Sequence, residues 1–291
     1  MDFNEFLERV RVKVDALLPD DLSTEYRIIQ KNNGVSYTGI CLKPGNIPFA
    51  SPTLYMEPYF VRLPEDPEEV LNRISEEIGS VLFEKSGRFE NWKDLKDPEY
   101  VKTRVIYRLV GKEGNEEWLA DKPKRSYLDM WIIYTVILRD KREGTGFAIV
   151  TDKVAESLGF SEEDLYGFAT ANTKRLMGEQ MTCIRDVLGL DFNDLHSALM
   201  YVLTNERGIF GAAAVLYTER LMPYAEFLER DLYVLPSSVH EMVVIPYDRE
   251  QYDIALRMVR AVNDNECPKE DVLTNSVYVF ERATGTLRIG P

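Results

Sequence analysis

The last hundred residues carry the pattern that most restricts the fold. Tyr201-Val-Leu-Thr204 and Tyr233-Val-Leu-Pro236 are short apolar runs at an offset of 32 residues. Each is followed by a polar turn, a second apolar run (210–217 and 242–247) and an amphipathic stretch, the second of these spanning 250–262. Short apolar runs bounded by turn residues predict strands, and a period of 3.6 predicts a helix. The spacing therefore predicts two strand–strand–helix units sharing one antiparallel sheet, although two copies are too few for a solenoid. A hairpin of 276–280 and 286–289, turning at Thr284-Gly285, extends that sheet. Helices packed on one face of antiparallel sheets give an α+β fold.

The rest of the chain fits the same class. Phe3, Phe6, Leu7, Val10, Val14, Leu17 and Leu18 mark one helical face over 2–18. Runs 24–30 and 35–42 around Asn32-Asn33-Gly34 predict a β-hairpin. A strand over 53–63, interrupted by Pro58, and an amphipathic helix over 64–82 follow. Residues 101–110 alternate basic and apolar and predict a strand with a charged face of Lys102, Arg104 and Arg108. Three such side chains could hold an anion, but a solvated face is the commoner outcome. Lys122-Pro-Lys-Arg125 is the best candidate linker. It divides the chain into an N-terminal lobe, 1–125, and a C-terminal lobe, 126–291, that carries the repeat. Residues 128–138 and 146–150 predict an antiparallel pair. Ser161, followed by three acids, caps a helix running to Met177.

The composition excludes several function classes. Acids outnumber bases by 49 to 35, and −10 of the net −14 falls after residue 150. Such a body repels phosphate backbones, so direct nucleic-acid binding is not expected. The N-terminus lacks the apolar run of a signal peptide, and no segment is long and apolar enough to span a membrane. Cys41, Cys183 and Cys267 are odd in number and far apart, which reads as reduced thiols in a cytoplasm. Phosphate-binding and dinucleotide-binding glycine loops, HExxH and GxSxG are all absent. No metal and no cofactor are expected.

One polar stretch could carry chemistry: Ser237-Ser238-Val239-His240-Glu241. Ser238 or Ser237 would be the nucleophile, His240 the base and Glu241 or Glu206 the orienting carboxylate. The matching turn of the first unit holds Asn205, Glu206 and Arg207, and shared strand sense would bring both turns to one end. Asn205, Glu206, Arg207 and Ser237 would then bind the ligand. Against this, Ser and Asn are ordinary turn residues, and strand residues two apart stand ~6–7 Å from each other. Asp191, Asp194 and His196 could join His240 around a metal, but nothing in the sequence gathers them.

TNERGIFGAAAVLY (204–217), DLYVLPSSVHEMVVIP (231–246), KNNGVSYTGICLKPGNIPFASPTLYMEPYF (31–60) and CPKEDVLTNSVYVFERATGTL (267–287) resemble a bacterial family known only as a domain of unknown function. The resemblance implies an intracellular protein of gut-dwelling Gram-positive bacteria and supplies no activity, ligand or site residue. The expected function is a non-catalytic binding or regulatory module with a possible protein partner. The alternatives are a Ser/His/Glu hydrolase at 236–241 and an acidic decoy for a nucleic-acid-handling protein.

Overall fold

Local sequence dictates most elements. A computed structural model of the chain describes residues 1–20, 22–43, 53–61, 68–88, 95–139, 145–188, 199–217 and 219–290. The chain divides into two units, Met1–Val101 with Ile137–Phe147, and Lys102–Val136 with Ala148–Pro291.

In the first unit, Asp2 caps helix α1 (Phe3–Asp15) by accepting from the Glu5 backbone N–H at 2.9 Å. Phe6, Val10 and Val14 are fully buried on its inner face, each burial being worth about 1.5–3 kcal/mol. Strands β1 (Thr24–Gln30) and β2 (Ser36–Leu42) pair antiparallel from Thr24↔Leu42 to Gln30↔Ser36 around the Asn-Asn-Gly turn, where Asn33 and Gly34 adopt positive φ. The expected strand over 53–63 is cut short. β3 (Thr53–Tyr55) gives way to a one-turn helix, α2 (Glu57–Phe60), because Pro58 suits a helix N-terminus and cannot donate to a ladder. Helix α3 (Glu68–Arg88) packs Leu71, Ile74 and Ile78 against α1, Ile40, Leu42 and Met56.

A short helix, α4 (Pro98–Lys102), precedes the second sheet. The basic alternation therefore does not lie on one strand: Lys102 ends a helix, Arg104 is in a turn, and only Arg108 is in β4 (Val105–Gly111). The Lys122–Arg125 segment is also ordered differently from a linker. Lys124 and Arg125 open β5 (Lys124–Tyr127), which pairs with β6 (Met130–Arg139). β4 pairs with the other edge of β6, and β7 (Thr145–Ile149) also pairs with β6. Helix α5 (Asp152–Leu158) follows, then α6 (Glu162–Met177), whose Ser161–Asp164 capping box is complete. Asn172 and Thr173 of α6 hydrogen-bond the β4 backbone at Val105 and Tyr107.

The third sheet has the order β13-β12-β10-β11-β9-β8 and is antiparallel throughout. Its strands are β8 (Gln180–Cys183), β9 (Tyr201–Thr204), β10 (Leu232–Ser238), β11 (Glu241–Pro246), β12 (Tyr278–Glu281) and β13 (Thr286–Ile289), with a short helix, α7 (Ile184–Leu188), after β8. The first repeat unit is not a strand pair. Residues 211–216 form a 3-10 helix, and β8 pairs with β9 in place of the expected strand. The reason lies in the residues: Gly211-Ala-Ala-Ala has little strand propensity, and Phe210 sits at φ 56°, which breaks an extended run. Helix α8 (Leu221–Leu228) completes this unit. The second unit is strand–strand–helix as expected: α9 (Tyr252–Asn265) buries Ala255 and Val259 against Tyr233, Leu235, Val277 and Val279. The architecture is α+β. Among the described residues no helix is long and apolar enough to cross a membrane.

Candidate functional site

The β10–β11 hairpin closes on two residues, Val239 and His240, because Ser238 pairs with Glu241. A bulge between Pro236 and Ser238 leaves Ser237 without a ladder partner. His240 is thus a turn residue, and the strand-face geometry expected for Ser238 and His240 does not apply.

The two expected turns do meet. Thr204 Oγ1 donates to the His240 carbonyl at 2.8 Å, and the Ala212 N–H reaches the Val239 carbonyl at 3.3 Å. Gly211 makes the approach possible: a Cβ there would lie 2.1 Å from Thr204 Oγ1 and 2.4 Å from the His240 carbonyl oxygen.

The ring hydrogen bonds of His240 run away from the serines. The Phe210 backbone N–H donates to Nδ1 at 3.1 Å. That donor requires a bare lone pair on Nδ1, so in the neutral ring the proton sits on Nε2. Nε2 faces Asp271 Oδ1 at 3.2 Å. Ser238 Oγ accepts from the His240 backbone N–H at 3.0 Å, a local turn bond. Ser237 Oγ donates to Glu241 Oε1 at 3.2 Å. The structure therefore pairs Ser237 with Glu241 and His240 with Asp271, and it makes no Ser–His–Glu relay.

The expected ligand-binding residues are also occupied. Buried Asn205 donates to the Ile209 carbonyl and accepts from the Arg207 N–H, at 2.8 and 3.0 Å. The Arg207 Nε–H donates to the Leu176 carbonyl at 3.0 Å. The Glu206 N–H bonds the Met177 carbonyl, and its side chain lies against Gly178. Of the metal candidates, Asp191, Asp194 and His196 lie outside the described residues. Among the described residues no group of His, Cys, Asp and Glu is arranged to hold a metal ion.

Sequence reasoning missed Asp271, which lies 31 residues from His240 in a 3-10 turn, Lys269–Asp271. No local pattern marks it. It also underrated Arg108. The Arg108 guanidinium carbon lies 4.4 Å from the centre of the Phe210 ring, and that ring stacks on His240 at 6.0 Å between centroids.

An open hollow of about 480 Å³ lies elsewhere in the second unit, lined by Lys122, Lys124, Trp131, Asp152, Glu156 and Glu162 among others. Three of its five charged side chains are already engaged. Lys122 bonds the Trp118 carbonyl and Asp121, Lys124 bonds the Leu119 carbonyl, and Glu162 takes a two-pronged bond from Arg125.

No curated protein and no solved structure matches the chain. A family model matches residues 3–282, nearly its whole length, and the chain belongs to that family, described as a family of unknown function (DUF5688).

Proposed function

We propose that the protein is a binding module without catalysis that acts on a protein partner in a reducing cytoplasm. The observation that carries this reading is the saturation of His240. A general base needs a ring nitrogen facing the nucleophile, whereas here one nitrogen accepts from a backbone amide and the other is held by Asp271. The thiols of Cys41 and Cys267, neither of them in a disulfide, support the reducing setting.

Support for a protein partner comes from α9. Ile254 and Met258, one helical turn apart, are 48% and 45% exposed, while Ala255 and Val259 face the core. Apolar side chains at that spacing on the outer face suit a partner's apolar surface. The net charge of −14 favours a partner with a basic rim.

The test is the native mass of the protein purified gently from its own host cells. A species heavier than 33.6 kDa is expected, and it should revert to the bare chain in an Ile254→Asp, Met258→Asp double variant. A bare monomer from wild-type cells would overturn the reading. Labelling by a serine-reactive fluorophosphonate that disappears in Ser238→Ala or Ser237→Ala would replace it with the hydrolase.

A further inference from the structure

His240 receives opposite demands at its two ring nitrogens. The Phe210 backbone N–H points at Nδ1 from 3.1 Å, so Nδ1 has to stay unprotonated. Asp271 Oδ1 stands 3.2 Å from Nε2, and a carboxylate there favours the doubly protonated, positively charged ring. Only the neutral ring with its proton on Nε2 meets both. A further proton has one lone pair left to take, that of Nδ1, and there it sets two donors against each other.

The His240 side chain is 33% exposed, so protons from solvent reach it. The charged groups around it divide. In the Lys269–Asp271 turn, Asp271 favours the cation. On β4, Arg108 lies behind the Phe210 ring that stacks on the imidazole, and its charge opposes a second cation. On β11, Glu241 is bonded by Ser237. In the 205–207 turn, Arg207 bonds the Leu176 carbonyl and Glu206 lies against Gly178. Cys267 lies within the field of Asp271, Glu270 and Glu241. Burial first, and then these acids, push its thiol up to about 11, so it stays neutral through the histidine range.

The two sides of the ring are held unequally. The Asp271 turn is tied to the hairpin itself, since the Val239 N–H donates to the Asp271 carbonyl at 2.7 Å. Phe210 sits at φ 56°, a conformation that costs a non-glycine residue free energy and that the bond to Nδ1 helps to offset. Loss of the Nδ1 acceptor therefore acts on the Phe210 side.

We infer that His240 is an acid-sensitive latch: its neutral ring joins the Phe210 turn to the Asp271 turn, and protonation releases Phe210 while keeping Asp271. The sign follows from linkage. The open junction binds the proton more tightly than the closed one, because only the closed one sets Nδ1–H against an N–H. Opening therefore grows as pH falls through the histidine range, by at most about tenfold per pH unit for one proton. It frees the start of the 211–216 coil and the ring that covers Arg108, so an aromatic face is offered in acid and withdrawn at neutral pH. The latch concerns this junction alone and holds whether or not a partner binds α9.

The experiment uses the full chain across about pH 8 to 5, where histidines titrate. Imidazole proton–nitrogen correlation spectra report the tautomer of His240. Hydrogen exchange, corrected for the intrinsic pH dependence of amide exchange, reports the protection of the Phe210 N–H. The expected result is a neutral ring with its proton on Nε2 at the alkaline end. Phe210 protection should then fall by about tenfold or more as the imidazolium forms, with the β10–β12 ladder unchanged. His240→Asn keeps an acceptor near the position of Nδ1 and cannot titrate, so its Phe210 protection should not depend on pH. If that variant does not fold, Asp271→Asn provides the comparison: it removes the carboxylate that favours the cation and should move the opening to lower pH. A proton on Nδ1 at the alkaline end, or a ring that stays neutral to the acid end, overturns the inference. So does an imidazolium that leaves Phe210 protected, the parent's pH dependence in His240→Asn, or an unmoved midpoint in Asp271→Asn.

Discussion

His240 and Arg108 approach the same phenylalanine ring and have opposite hydrogen-bond accounts. At His240 the ring nitrogens, the backbone N–H and the carbonyl oxygen all have partners within 3.2 Å. Among the described residues Arg108 has only ring faces and the charge of Asp271, and its Nε has no acceptor. Yet the sequence around His240 reads as the reactive one, and that around Arg108 reads as a solvated strand face. The difference teaches that residue type nominates a site, while the account of donors and acceptors decides whether anything is left to bind with. A histidine fully used by the fold is a fastener. An arginine left unpaired is either a cost the fold bears or a place for an anion.

The comparison is tested most severely at Gly211. The turns meet only because this residue has no Cβ, and the nearest obstacles include backbone atoms, the His240 carbonyl oxygen at 2.4 Å and the Asn205 nitrogen at 2.8 Å. Gly211→Ala should cost about 3 kcal/mol, since backbone cannot step aside as a flexible side chain can. Urea unfolding measures it. A cost under about 1 kcal/mol would mean that the His240 junction is not held by this close approach.

The next two variants should separate the fastener from the unpaired cation. His240→Ala leaves the Phe210 N–H without an acceptor and Asp271 without a donor, and should cost roughly 2 kcal/mol. Labelling by serine-reactive probes should not change. Arg108→Met removes a poorly compensated charge and loses only ring contacts, so its stability should stay within roughly 1 kcal/mol of the parent. Equal losses in both variants, measured by the same unfolding experiment, would break the contrast and make Arg108 a structural residue.

Legibility followed the range of the interactions. Elements fixed by local rules were readable: the α1 stripe, the Asn-Asn-Gly hairpin, the Ser161 cap, the β10–β11 and β12–β13 hairpins and the α9 face. The failures came where a tertiary contact overrode a local pattern. Residues 211–216 coil because a run of glycine and alanine holds an extended conformation only weakly, so the close approach of Gly211 to His240 prevails, and Lys124–Tyr127 becomes a strand because β6 offers it an edge. The meeting of the two turns was also readable, through the shared sheet. The partners were not, because Asp271 and Arg108 lie 31 and 132 positions from His240 and neither stands in a motif.

The smallest effect extends the contrast to two buried-side carboxylates, and there the sign carries the information. Burial pushes Glu162 up, but bonds from Arg125, at 3.0 and 2.8 Å, and from Tyr134 outweigh it and hold the carboxyl below its ordinary value of 4.5. Glu179 has a side chain only 4% exposed and an Oε1 with no partner. Burial raises it, although Lys174 at 3.4 Å and Arg220 at 3.7 Å pull the other way. For Glu162 the folded pKa lies below the unfolded one. Its stabilisation is complete above the unfolded value and disappears as pH falls through the folded value. For Glu179 the folded pKa lies above the unfolded one, so its contribution is complete below the unfolded value and is lost as pH rises through the folded value. Glu162→Gln should therefore fall further behind the parent as pH rises from the acid side, and Glu179→Gln should gain on it over the window just above 4.5. Urea midpoints measured across that range give both difference curves. Opposite slopes would extend the satisfied-versus-unsatisfied distinction to these acids. Parallel slopes would mean that the open Oε1 of Glu179 is met in solution after all, and that an unpaired atom in this fold is no guide to where a ligand belongs.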